Sequence, residues 1–147
     1  MRADTSQFLA SLAFLAVASI LTSSLLFWLH RLYRRGYLRH WRTSWAWLAS
    51  YHGLAAVSLW RAESEAPLPF SAALALSALV RVAACLHIVY FLFGAWELRK
   101  ERALPARALR LWPTAAVLLG LTLVLLFSWD RELIGERLVA RSGGRAL

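Results

Sequence analysis

The stretch that decides the fold is FSAALALSALVRVAACLHIVYFLFGAW, which occupies residues 70–96. Apart from one arginine and one histidine it holds only apolar, small and hydroxyl-bearing side chains, and it contains no acid. A helix needs about 20 predominantly apolar residues to cross the hydrocarbon core of a bilayer. The stretch therefore predicts a transmembrane helix.

Three more apolar runs extend this pattern over most of the chain, at residues 8–29, 43–60 and 111–129. The chain has 147 residues, of which 60% are hydrophobic, and only short loops separate the runs. We therefore predict an all-α, polytopic membrane protein with four transmembrane helices in an up-down bundle over residues 1–129. Residues 130–147 are expected to form an amphipathic or flexible C-terminal tail. The loops leave no room for a soluble catalytic domain, so we expect no enzyme activity.

Charge differs between the three loops. Residues 30–42 contain five arginines and no acid, residues 61–69 one arginine and two glutamates, and residues 97–110 five basic residues. Cytoplasmic loops carry the excess of Lys and Arg in membrane proteins. We therefore expect the first and third loops in the cytoplasm, the N-terminus outside, and the protein in a bacterial inner membrane. The residues taken as topology determinants and lipid head-group contacts are Arg31, Arg34, Arg35, Arg39, Arg42, Arg99, Lys100, Arg102, Arg107 and Arg110.

The formal net charge of +9 would point to nucleic acid in a soluble protein. Here the arginines cluster beside apolar runs, where they set topology and bind anionic lipid head groups. We therefore expect membrane lipids as partners and no nucleic acid. The single cysteine, Cys85, lies inside the third run and has no second cysteine with which to form an intrachain disulfide.

Two histidines lie inside predicted spans, where ionisable groups are costly and mark candidate functional sites. His52 and His87 each lie ten residues, or about 15 Å, from the arginine-rich end of their helices. On antiparallel neighbours they would face each other at matched depth and bind haem b or a metal ion, or act as a proton-sensing pair. Alternatively, each imidazole only bonds a neighbouring group, such as Ser50, Tyr51 or Tyr90. A Soret band in the purified protein would distinguish haem binding.

Arg81 is the one arginine inside the third run, and the four runs contain no Asp or Glu. We expect it to face the bundle interior or an outward-open cleft, with Ser77 one turn earlier on the same face. The candidate ligand-binding residues are therefore Arg81 and Ser77, with Tyr51 and Tyr90. The alternative is that the arginine side chain extends toward the outer interface and binds nothing.

Small residues recur at helical spacing and predict close helix packing. They are Ala46, Ala49, Gly53 and Ala56 on the second span, Gly94 and Ala95 at the end of the third, and Gly120 in the fourth. Pro113 is expected in the first turn of the fourth span, where a missing amide costs little.

Residues 34–49, RRGYLRHWRTSWAWLA, combine a basic loop with tryptophans and an alanine-rich span, and residues 91–98, FLFGAWEL, precede further basic residues. These stretches resemble bacterial multi-span sensor modules at the N-terminus of histidine kinases and diguanylate cyclases. Such modules usually have seven or eight spans followed by a signalling domain. The resemblance therefore implies either an N-terminal fragment of a larger receptor or a small stand-alone relative.

Three function classes are compatible with these features. The first is an integral membrane sensor or signalling module without catalysis, whose partners are further transmembrane helices or a cytoplasmic signalling domain. The second is a haem- or metal-binding redox subunit that uses His52 and His87. The third is a structural or assembly membrane protein. The sequence names no stimulus, and a homo-oligomer is compatible with all three.

Overall fold

The chain folds entirely into helices in the part that its computed structural model describes. That part covers the backbone of residues 2–63 and 69–143, and the side chains of residues 5–61 and 69–126. The helices are α1 (Arg2–Tyr33), α2 (Gly36–Glu63), α3 (Phe70–Lys100) and α4 (Ala106–Gly143), and the described residues contain no strand. The predicted all-α class with four helices is confirmed.

Three of the helices contain segments long and apolar enough to cross a membrane: Thr5–Tyr33, Phe70–Lys100 and Ala106–Leu126. Their large side chains are mostly exposed, as in Phe14, Ile88 and Leu118. Such a surface favours contact with lipid over contact with water. The α2 helix does not reach the same hydropathy, because its aromatic, serine and histidine residues dilute the aliphatic ones.

Successive helices pack antiparallel in chain order, α1 on α2, α2 on α3 and α3 on α4. The contacts that show this are Ser23 with Arg42, Trp41 with Phe91, and Gly120 with Val82. Within the described residues, no Cα of α1 lies within 8 Å of a Cα of α4. The helices alternate in direction and form an open row over the described residues, whereas the sequence predicts an up-down bundle. Each helix therefore leaves a wide surface uncovered.

Two sharp turns lie at the arginine-rich end of the row. The first follows α1, where Arg34 has a φ of 51° and its N–H donates to the His30 carbonyl at 2.8 Å. The second follows α3, where Glu101 has a φ of 52°. Glycine usually occupies such left-handed positions, because it has no Cβ to clash. Here charged residues, Arg34 and Glu101, occupy both left-handed positions.

One expectation about α4 differs from the structure. Pro113 lies inside the helix and not in its first turn, because α4 begins already at Ala106. The backbone continues as helix from residue 130 to residue 143, and the predicted division into a membrane domain and a tail after residue 129 stays a prediction. The amphipathic character predicted for the tail depends on side chains of residues 130–147, which lie outside the described ones.

Glycines mark two close helix contacts. A Cβ on Gly94 would overlap the Trp41 indole, and a Cβ on Gly120 would lie 2.9 Å from the Val82 Cα. The predicted small-residue packing is therefore confirmed at these two positions. It is wrong at Gly53, where a Cβ added to the backbone would have no described atom within 4 Å. The close contacts thus join α2 to α3 and α3 to α4.

Candidate functional site

The most unusual polar contact joins α2 to α3 near the arginine-rich end. His40 is 3% exposed and Glu97 is 7% exposed, so both side chains are buried. The His40 Nε2 lies 3.2 Å from the Glu97 Oε1, where an N–H on this nitrogen donates to the carboxylate. Buried ionisable groups are rare unless they are paired. This pair is therefore the first candidate for a functional group.

Glu97 also contacts two other segments. The Leu104 backbone N–H, in the α3–α4 turn, donates to its Oε1 at 3.2 Å. The Oε2 atom lies directly against Gly36, the first residue of α2, where an added Cβ would overlap the carboxylate. Since α2 has no acid in its first turn, Glu97 supplies the negative charge that favours a helix N-terminus. One carboxylate thus connects α2, α3 and the turn into α4.

The surroundings of His40 favour the neutral imidazole. Burial lowers the pKa of His40 below its usual value of 6.5, and the Glu97 carboxylate only partly opposes this effect. The Tyr90 ring stacks on the imidazole with centroids 6.2 Å apart, and the Phe93 ring meets its edge at 5.6 Å. The aromatic surroundings therefore favour the neutral imidazole, whereas the carboxylate favours the protonated one.

A second polar pair lies one turn further along α2. Ser44 is fully buried, and its hydroxyl donates to the His87 carbonyl oxygen at 3.0 Å. The His87 Nδ1 lies 2.8 Å from that hydroxyl oxygen and 3.1 Å from the Ser44 carbonyl oxygen. Because the hydroxyl proton points to the His87 carbonyl oxygen, an N–H on Nδ1 donates to the Ser44 carbonyl oxygen. We call His40, Ser44, His87 and Glu97 the polar seam.

The alignment of α2 with α3 in the polar seam places His52 and His87 at different heights along the helix axes. His87 contacts Ser44, which precedes His52 by eight positions, or about 12 Å along the helix axis. The backbone positions of His52 and His87 are thus offset and not level as predicted. Helical side chains lean toward their N-terminus, so on antiparallel helices the two imidazoles lean toward each other.

The His52 Nδ1 is buried and has no hydrogen-bond partner among the described residues. Its ring instead meets the edge of the Tyr51 ring, with centroids 5.0 Å apart. No described group of three His, Cys, Asp or Glu side chains is placed to hold a metal ion. The haem or metal site at His52 and His87 stays a prediction.

The other predicted ligand residues are distributed over α2 and α3. Arg81 and Ser77 are both half-buried on α3, as expected for residues one turn apart. Tyr51 contacts His52 on α2, whereas Tyr90 packs against His40 and Phe93 at the arginine-rich end. Tyr90 thus belongs to the surroundings of the polar seam.

Above the polar seam lies an open cleft of about 730 Å³. It is formed by the α1–α2 turn and the α3–α4 turn, and we call it the basic cleft. Its charged lining residues are Arg34, Arg35, Arg39, Glu97, Glu101 and Arg102. Glu97 therefore belongs both to the buried pair and to the floor of a cleft that opens on the arginine-rich surface.

Sequence reasoning missed His40, Ser44 and Glu97 as candidate site residues. The apolar runs alone place His40 and Glu97 in loops or at the membrane interface, at the ends of two spans. Their spacing is nevertheless helical, since His40 and Ser44 are four apart, and His87, Gly94 and Glu97 are separated by seven and three. Continuing α2 by two turns and α3 by one turn beyond the apolar runs would have placed these residues on facing surfaces.

Comparison of the chain with protein-family models, with curated proteins and with solved structures finds no significant match.

Proposed function

We propose that this protein is an integral membrane sensor or signalling module without catalysis of its own. The observation that supports this most is the buried contact between His40 and Glu97, which joins α2, α3 and the α3–α4 turn beneath the basic cleft. Gain or loss of a proton by the His40–Glu97 pair would change the packing of all three segments at once. A change at the arginine-rich surface is therefore transmitted to the helix row through one group.

A purely structural role explains this contact less well. Replacing two buried groups that bond each other by apolar residues of similar volume is often neutral or stabilising, so a buried polar pair of this kind contributes little to stability. Buried imidazoles are, in contrast, suited to switching, because modest changes in their surroundings move them between charge states. In our proposal the partner is a cytoplasmic signalling domain or further transmembrane helices that read the positions of the helix ends.

The proposal requires that α2 spans the bilayer with the arginine-rich end inside. At 28 residues α2 is about 42 Å long, enough to cross the hydrocarbon core. It also packs between α1 and α3, and two of its polar side chains, His40 and Ser44, are buried. The two arginine-rich loops, at residues 30–42 and 97–110, favour the cytoplasm of a bacterial cell for their shared end of the row.

We expect this topology to be visible by cysteine labelling in a Cys85→Ser background. Arg35 precedes α2 and Pro69 precedes α3, and both are exposed. A membrane-impermeant maleimide should label Pro69→Cys on intact cells and Arg35→Cys only after lysis. Labelling of both positions on intact cells, or the reverse pattern, would contradict the crossing of α2 or its direction.

The signalling proposal predicts movement of the inner helix ends when the charge of the pair changes. Glu97→Gln keeps the volume of the side chain and removes its charge. In the Cys85→Ser background, spin labels at Tyr33→Cys and Ala106→Cys report the inner ends of α1 and α4, and both positions are exposed. We expect the inner distance to shift by about 2 Å or more, the scale of helix shifts in known switches.

A second label pair at Gln7→Cys and Phe70→Cys reports the outer end and is the control. Its distance should stay within the width of the wild-type distribution. If Glu97→Gln lowers thermal stability without changing either distance, the pair is a structural connection and the signalling proposal is wrong.

A further inference from the structure

We propose that the basic cleft is a specific site for a phosphate ester, either the head group of an anionic phospholipid or a soluble phosphoester. The inference concerns binding alone and does not depend on the signalling proposal. Its starting point is the placement of four arginines, Arg34, Arg35, Arg39 and Arg102, around one cleft. A guanidinium group binds phosphate through two parallel N–H donors, which gives both affinity and orientation.

The arginines of the first turn are available for a ligand. No described carboxylate lies within salt-bridge distance of Arg34, Arg35 or Arg39. Arg102 lies over the Trp96 ring at 5.7 Å, which holds its guanidinium at the rim. Uncompensated cations that converge on one concave surface raise the local concentration of anions.

Two acids also line the basic cleft, but they leave it positive. The Glu97 carboxylate is buried and already accepts from the His40 imidazole and the Leu104 amide. Glu101 is exposed at the rim and carries the only other described carboxylate of the lining. The lining contains four arginines and two acids, so its net charge is about +2.

The backbone of the lining supports a ligand role. Arg34 and Glu101 both occupy left-handed positions where glycine would be less strained. Strain of this kind persists where the surrounding structure or a function requires the side chain. The turn that carries Arg34 is also fixed by the His30 Nδ1, which lies 2.9 Å from the Arg35 carbonyl oxygen. The backbone that carries the first two arginines is thus fixed by bonds within the turn.

The size of the basic cleft selects among anions. A volume of about 730 Å³ is in the range of sites for organic ligands and far exceeds what a bare phosphate fills. The lining includes Leu98, which is exposed on the apolar surface of α3. A phosphate with an attached organic group therefore fits both parts of the lining.

The test measures retention of phosphatidylglycerol by native mass spectrometry, with the full chain purified in a neutral detergent. The wild type should retain one molecule in a saturable manner. Arg35→Gln combined with Arg39→Gln should weaken retention by about tenfold or more, since each change removes charge-assisted hydrogen bonds. The matched control, Arg107→Gln with Arg110→Gln, removes the same charge from exposed arginines outside the cleft lining. These two arginines are expected to attract lipid head groups only through the general charge of the surface, so retention of the one saturably bound molecule should change less than twofold.

Free glycerol phosphate added as a competitor distinguishes the two sources. Displacement of the lipid at millimolar concentration supports a site for soluble phosphoesters, whereas retention despite the competitor supports a lipid head-group site. Equal weakening by the cleft and control variants would show diffuse attraction to a positive surface and overturn the proposal. Absence of saturable binding by the wild type would overturn it as well. If the double variant folds poorly, retention is measured on the single variant Arg39→Gln, provided that its thermal stability equals that of the wild type.

Discussion

Glu97→Leu is expected to lower the free energy of unfolding by about 3 kcal/mol, because it leaves one buried and one part-buried donor of two other segments without their acceptor. These donors are the His40 imidazole and the Leu104 amide. The double variant His40→Leu/Glu97→Leu should recover part of the loss, since it removes the imidazole along with the carboxylate. Thermal unfolding of the purified protein in detergent measures all variants.

The control for this experiment is Glu101→Leu, which removes an acid from the same end of α3. Glu101 is exposed, so its replacement should change stability by less than about 0.5 kcal/mol. Equal losses for Glu97→Leu and Glu101→Leu would show that the loss comes from net charge and not from the buried pair. Strict additivity of the two single losses in the double variant would show that His40 and Glu97 are not coupled.

Gly94→Ala is expected to destabilise the α2–α3 contact by about 2 kcal/mol, because overpacking forces a rigid side chain out of its position. The added methyl group would meet the Trp41 indole. That indole cannot easily move, since its Nε1 donates to the Phe91 carbonyl at 3.3 Å and its ring packs against Tyr37.

The matched control for Gly94→Ala is Gly53→Ala, which makes the same chemical change on the neighbouring helix. No described atom lies within 4 Å of the added methyl group. The variant should therefore be neutral or gain about 0.5–1 kcal/mol from the better helix propensity of alanine. A loss at Gly53 as large as at Gly94 would mean that the register between α2 and α3 is wrong. The same conclusion would follow if Trp41→Leu failed to relieve the loss in Gly94→Ala.

Among the candidate residues, the sequence identified single positions better than partners. It pointed to His52, His87 and Arg81 because ionisable groups within apolar runs stand out. It did not point to His40 and Glu97, since each lies at the end of its span among other polar residues. Their contact depends on α2 and α3 continuing beyond the apolar runs until residues 57 positions apart in the chain meet.

The sequence by itself determined the helical, membrane-type character of this protein. Run length and apolar composition are local properties of the sequence. In a bilayer, a run of this kind satisfies its backbone hydrogen bonds by forming a helix. Only the tertiary structure decided which side chains meet. The register between α2 and α3 follows from the fit of Trp41 on Gly94 and from the bonds between Ser44 and His87. Such fits depend on the shapes of two surfaces together, and neither surface alone specifies its partner.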